Sequence, residues 1–83
     1  MEKIRLIYHI ETEPCLNAAI RIMGIFSRRR VTIIEIYCNI NKSEDRQRFT
    51  IAVMDTEENA LKISKRIKGE IDIYSVNLFQ QIN

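Results

Sequence analysis

The order in which two hydrophobic periods alternate is the strongest constraint on this 83-residue chain. A two-residue period, typical of a half-buried strand, runs over 3–11, 31–40, 48–53 and 70–79. Steps of three and four residues, typical of an amphipathic helix, run over 14–29 and again from Asp55 or Thr56 to Gly69. The sequence therefore predicts the element order βαββαβ.

That order predicts an α+β fold, the ferredoxin-like βαββαβ sandwich, with an antiparallel four-stranded sheet and two helices on one face. In the last strand, Ile71 and Ile73 alternate with one parity, whereas Tyr74, Val76 and Leu78 follow the other. Such a change of parity is typical of a β-bulge or of a strand covered on both sides. The second helix should bury a stripe of four residues: Ala60, Ile63, Ser64 and Ile67.

The first helix carries more apolar surface than one core contact needs. Its predicted core stripe consists of Leu16, Ala19, Ile20, Met23 and Phe26. Ile22 and Ile25 fall well round the helix at ~100° per residue, so we expect them to contact a second partner. The sheet face away from the helices is expected to expose four more apolar side chains: Ile7, Val31, Ile33 and Tyr37. A patch of this size predicts a homodimer or a higher oligomer.

Composition narrows the class of protein. Hydrophobic residues make up 46% of the chain, with two Gly and one Pro, which excludes a disordered or linker-like polypeptide and predicts a single domain over 1–83. The net charge of +2 indicates neither a nucleic-acid nor a membrane partner. Cys15 and Cys38 lack the spacing of a metal or redox pair, so we expect reduced thiols. A charged start and the absence of an apolar run of ~20 residues predict a cytoplasmic protein.

No convergent catalytic set is visible, and we predict no catalytic residue, no cofactor and no metal site. His9 is the one histidine, and Cys15 near a helix start has no histidine placed beside it. The run Arg28–Arg30 suits the carboxyl end of the first helix. Nucleic-acid binding is the alternative for these arginines, but the third strand lacks the aromatic signature of RNA-recognition modules.

The turn between the first strand and the first helix, Thr12 to Asn17, allows two interpretations. The amino terminus of a helix offers unpaired N–H groups to an anion such as an amino-acid carboxylate, and a neighbouring copy could close the pocket. A capped turn without a ligand is equally consistent with these residues.

Two segments resemble a known family. The stretch I-M-G-I-F-S-R-R-R-V-T-I over 22–33 is similar to the R-I-x-G-L-F-S-R-R-G-x-N-I-E signature of the acetolactate synthase small subunit, and I-D-I-Y-S-V over 71–76 is similar to its L-x-D-V-x-x-V segment. With the element order, the resemblance covers the whole chain as one ACT domain. It implies a non-catalytic regulatory subunit that binds and activates a thiamine-diphosphate-dependent catalytic subunit, often with feedback inhibition by valine.

The resemblance also implies that two ACT domains join their sheets and hold a small amino-acid effector between the first turn and the partner. Carried over by position, the effector site comprises Glu13, Pro14, Cys15, Leu16, Asn17, Thr32 and Ile33. Pro14 and Thr32 stand where the family has asparagine, and Asn17 and Arg30 stand where it has glycine. Because the changes at Pro14 and Thr32 remove carboxamides, we expect valine feedback to be weak or absent. An amino-acid-sensing ACT module for another enzyme or a transcription factor is the alternative.

Overall fold

The computed structural model describes residues 2–82. Its elements are β1 (Ile4–Thr12), α1 (Leu16–Arg28), β2 (Thr32–Asn41), β3 (Arg46–Asp55), α2 (Glu57–Lys68) and β4 (Ile73–Gln80). The four strands form one antiparallel sheet in the order β2-β3-β1-β4. Side chains of both helices share one hydrophobic cluster with the strands, which leaves the other sheet face, here called the open face, without a helix. The predicted βαββαβ fold is confirmed.

Every second side chain of the central strands β1 and β3 points towards the helices and forms the core. Tyr8 of β1 lies opposite Ile51 of β3 and Leu78 of β4, and all three point towards the helices. The ring of Tyr8 packs edge-on against Phe26 of α1, with 5.1 Å between centroids. Its hydroxyl donates a hydrogen bond to the carbonyl of Ala60 in α2, at 3.3 Å. Tyr8 thus joins both helices to the middle of the sheet.

The second helix forms as its sequence predicts. Thr56 is its N-cap, and the Thr56 hydroxyl accepts a hydrogen bond from the Asn59 N–H at 3.2 Å. The Asp55 carboxylate accepts from the Thr56 N–H and from the side chain of Asn59, at 2.8 and 2.9 Å. The helix ends at Gly69. Its buried residues are the four that were predicted: Ala60, Ile63, Ser64 and Ile67.

The predicted core stripe of α1 is confirmed at Phe26, and Ala19 and Met23 pack against the core, but the rest of the assignment is wrong. Its buried residues are Ala18, Ile22, Ile25 and Phe26. Leu16 and Ile20, predicted for the core, are 74% and 58% exposed. By hydrophobicity alone, either stripe could face the sheet. The contact of Phe26 with Tyr8 fixes the rotation of α1 about its axis. The prediction that Ile22 and Ile25 contact a second partner was therefore wrong.

A β-bulge divides β2 and corrects a second prediction. The pairing with β3 shifts between Ile33 and Glu35, so residues before and after the shift have opposite parity. Ile33 lies opposite buried Val53 and, like Val31, packs against the core, whereas both were predicted for the open face. Tyr37 lies opposite Thr50 on the open face, as predicted.

The open face also holds Ile7, which lies opposite Ala52 in the middle of the sheet and is half-buried. The bulge predicted for the last strand is present, since the pairing of β1 with β4 shifts between Glu11 and Thr12. The strand itself begins at Ile73, three residues after the predicted start. Gly69 to Asp72 form the connection from α2.

Candidate functional site

The turn between β1 and α1 is held by backbone hydrogen bonds. The Glu13 N–H donates to the Asp72 carbonyl at 2.9 Å, which ties the turn to the segment before β4. The Cys15 N–H and the Thr12 hydroxyl both donate to the Glu13 carbonyl, each at 2.8 Å. Of the predicted effector-site residues, Glu13, Pro14 and Cys15 lie in this turn, and Leu16 and Asn17 follow as the first residues of α1.

A buried glutamine of β3 donates hydrogen bonds to both ends of this turn. Gln47 of β3 is 6% exposed, and its side-chain NH₂ donates to the Thr12 hydroxyl at 3.3 Å and to the Cys15 carbonyl at 3.2 Å. Sequence reasoning missed Gln47. Its signal was available, because position 47 has the same parity as core residues Phe49 and Ile51, where a polar side chain needs a buried partner.

The amino terminus of α1 has free donor capacity. Cys15 is the N-cap with an extended backbone (φ −148°, ψ 152°), and its side chain makes no capping hydrogen bond. No acidic residue lies in the first turn. The first N–H groups of the helix therefore have no side-chain acceptor, and the positive end of the helix dipole favours an anion there. Leu16 and Asn17, which begin the helix, are exposed to solvent.

The structure does not bring Thr32 and Ile33 to this turn within one chain. Thr32 lies opposite Met54 of β3, whereas Thr12 lies opposite Gln47. At ~3.3 Å per residue, these two positions on β3 are about 23 Å apart. The predicted effector site is therefore split between two ends of the sheet.

The outer edge of β2 has no strand beside it in the described chain. Along this ten-residue strand the one charged side chain is Glu35, and neither proline nor lysine blocks the edge. Ile36 and Ile40 lie opposite Ile51 and Gln47, so they face the helix layer, yet they are 47% and 56% exposed. Leu16 and Ile20 of α1 are exposed as well, and we call the four exposed residues together the edge patch: Leu16, Ile20, Ile36 and Ile40.

A shallow cavity of about 350 Å³ on the open face contains the one histidine. The His9 ring packs against Phe79, with 5.0 Å between centroids. Arg48 pairs with Glu11 beside it, at 3.3 Å. Among the side-chain hydrogen bonds of residues 2–82, none joins His9 to Glu11 or Ser75, which also line the cavity.

The two cysteines lie apart from any cluster of metal-ligating side chains within residues 2–82. Cys15 is half-buried, Cys38 is exposed, and both are free thiols. Desolvation raises the pKa of the Cys38 thiol, which keeps it protonated near neutral pH. The described part of the chain contains no group of three or more His, Cys, Asp or Glu side chains that could hold a metal ion. No helix within residues 2–82 has both the length and the apolar character needed to cross a membrane.

Arg30 closes the connection from α1 to β2 with a left-handed backbone, at φ 54°. Residues other than glycine adopt this conformation at a cost of roughly 1–2 kcal/mol. The family signature that segment 22–33 resembles has glycine at this position. The backbone of Arg30 thus has a conformation that glycine adopts without steric cost.

Neither a protein-family model nor a curated protein matches the chain. Solved structures match it in shape. The ACT domain from the GTP pyrophosphokinase of Chlorobium tepidum has a TM-score of 0.78 at 13% identity, over 93% of this chain and 99% of that one. An uncharacterised protein from Thermotoga maritima has a TM-score of 0.80 at 13% identity, over 95% and 98%. The C-terminal domain of the MgtC protein from Mycobacterium tuberculosis reaches 0.76 at 11% identity, over 96% and 88%. Likeness at these identities establishes the fold.

Proposed function

We propose that the chain is an ACT-type regulatory domain that acts as the non-catalytic regulatory subunit of acetolactate synthase. In this role it binds and activates the thiamine-diphosphate-dependent catalytic subunit, with weak or absent valine feedback. The observation that carries the proposal is the signature-like segment 22–33, which spans the end of α1, the left-handed Arg30 and the start of β2. The likeness in fold to an ACT domain supports it.

The proposed active form is a dimer joined at β2. Two β2 strands that pair antiparallel would satisfy the free edge and extend the sheet from four strands to eight. Because α1 connects β1 to β2, we place its exposed Leu16 and Ile20 near this edge on the helix side, where the pairing would bring the α1 helices of two copies together and cover both residues. Tyr37, which is 63% exposed on β2, remains in the proposed interface from the sequence prediction.

This dimer would also assemble the split effector site. In an antiparallel β2 pair, the start of one strand lies beside the end of the other. Thr32 of one copy then lies opposite Asn41 of the second copy, at the end of the sheet where that copy's Thr12–Gln47 pair and turn lie, with β3 between its β2 and β1. The carboxylate of an amino acid would bind the free N–H groups at the start of α1, and Thr32 would contact its ammonium group or side chain.

The residues at the site argue against strong valine binding. Pro14 has no side-chain amide and no N–H, and Thr32 offers a hydroxyl where the resembled family has a carboxamide. The helix terminus itself is intact, so an activator without a working sensor and a sensor for a different amino acid both fit this turn.

The test is acetolactate formation by the catalytic subunit with and without this chain, repeated with valine, leucine and isoleucine. We expect activity to rise on addition of the chain and to respond weakly or not at all to valine. The test variant is Ile36→Lys, which places a charge in the edge patch and leaves the turn unchanged. It should abolish the activation together with the dimer.

An unchanged rate with folded, dimeric protein would overturn the assignment to acetolactate synthase. It would favour the second candidate, an amino-acid-sensing ACT module for another enzyme or a transcription factor. The departures at Pro14, Thr32 and Arg30 from the resembled signature are the observations in favour of that candidate.

A further inference from the structure

A basic groove lies on the helix layer, where the end of α1 meets the second half of α2. It has a volume of about 560 Å³ and is lined by Arg29, Lys62, Lys65, Arg66, Gly69 and Glu70. A smaller pocket of about 150 Å³ adjoins it and is lined by Ile25, Arg28, Arg29 and Arg66. Both are lined in part by Arg29 and Arg66, so these two side chains lie between the groove and the smaller pocket.

The charges of this groove are poorly compensated. Among its five cations, Lys62 alone has an ion-pair partner within the described chain, Glu58 at 3.7 Å. Glu70 is the one acidic side chain in the lining. Five positive charges against Glu58 and Glu70 leave a net +3, while the whole chain carries +2. The groove thus holds more than the entire net charge of the protein, and all other residues together carry −1.

Helix dipoles explain part of this arrangement. Arg28, Lys65 and Arg66 lie in the last turns of their helices, where cations are favoured. They do not explain Lys62, which lies in the middle of α2, or the approach of Arg29 from the other helix. Like charges at such proximity repel one another, so an anion in the groove would relieve that repulsion.

We propose that this groove binds a small anion that carries two or more adjacent phosphate groups. The planar guanidinium of arginine matches a pair of phosphate oxygens, and three of the five cations are arginines. The volume falls in the range of roughly 300–1,000 Å³ that is typical of small-ligand sites.

The phosphates, rather than a base, are what the groove recognises. No aromatic side chain lines it, and the exposed aromatics Tyr37, Tyr74 and Phe79 all belong to the strands. A single-stranded nucleic acid would therefore find charge but no stacking surface here. None of the lining residues belongs to the edge patch or to the β1–α1 turn, so the site is independent of the proposed dimer and its effector pocket.

The experiment is calorimetric titration of the intact chain with sodium tripolyphosphate at roughly 100 mM salt, where the Debye length is about 10 Å. We expect one tripolyphosphate per chain and a higher melting temperature in its presence. The double variant Arg29→Gln/Arg66→Gln should bind at least about tenfold more weakly, because charge-assisted hydrogen bonds are lost. The control Lys3→Gln/Lys42→Gln removes the same charge from exposed positions outside the groove and should bind as the unchanged protein does.

Four results would overturn the proposal: no binding of tripolyphosphate, equal weakening in the control, equal stabilisation by sulfate at matched ionic strength, or tighter binding of a single-stranded oligoribonucleotide. Circular dichroism of each variant establishes that it is folded. Lys65→Gln gives a second test within the groove, with weaker binding expected. These outcomes do not depend on acetolactate formation.

Discussion

Gln47 is the residue whose replacement should most directly loosen the turn between β1 and α1. Gln47→Leu keeps a side chain of similar size but removes the hydrogen bonds to Thr12 and to the Cys15 carbonyl, at 3.3 and 3.2 Å. Each bond contributes about 0.5–1.5 kcal/mol, so the two together contribute up to about 3 kcal/mol. Burial of the leucine offsets part of this loss. We expect a net destabilisation of about 2 kcal/mol.

The expected shift in melting temperature follows from the size of the chain. An unfolding entropy of about 2.1 cal/mol/K per residue gives roughly 170 cal/mol/K for 83 residues, so 2 kcal/mol lowers the melting temperature by about 12 °C. Thermal and urea unfolding measure this change. Amide exchange should accelerate at Glu13 and Cys15, whose N–H groups are bonded in the turn.

The matched control is Gln80→Leu at the exposed end of β4, which should change stability by no more than about 0.5 kcal/mol. A Gln47→Leu variant that melts at the same temperature as the unchanged protein would refute the reasoning, because the side chain would then not hold the turn.

Three further predictions concern other positions. Arg30→Gly should stabilise the protein by up to about 1 kcal/mol, since glycine adopts φ 54° without the steric cost; unchanged or lower stability in urea would contradict this. Burial, with a smaller effect of Asp55, raises the pKa of Tyr8, so the folded state keeps the Tyr8 proton when the unfolded chain has lost it. Stability should be unaffected by Tyr8 below about pH 10 and fall by about 1.4 kcal/mol per pH unit above it, and urea unfolding of Tyr8→Phe should lack that component of the alkaline loss. Thr32→Asn should strengthen any valine response by about tenfold, because a carboxamide gains a hydrogen bond; an unchanged titration would argue against this pocket.

The fold was predictable from the sequence because each element has its own hydrophobic period and its own residues that begin and end it. The stripe of α2, its cap at Thr56 and its end at Gly69 are all local signals, and all three are confirmed. The bulge in β4 was visible as a change of parity.

The side-chain assignments failed where tertiary contact decides. Both stripes of α1 are apolar, so the choice between Ile22 and Ile20 for the core depends on how Phe26 packs against Tyr8. The bulge after Ile33 places that residue on the core side; the adjacent pair Ile33–Ile34 carries the change of parity that marks the shift, but a single alternation was assigned to the whole strand. The same holds for the candidate site. Local signals predicted its turn, whereas the hydrogen bonds from Gln47 come from a strand distant in sequence and were not predicted.

The mass of the protein in solution tests the central claim, that two copies pair through β2 to build the effector site. Sedimentation equilibrium at micromolar concentration should give twice the 9.8 kDa of the chain, and Ile36→Lys should return the mass to that of the single chain. A single-chain mass for the unchanged protein, or a dimer that Ile36→Lys leaves intact, would contradict the account.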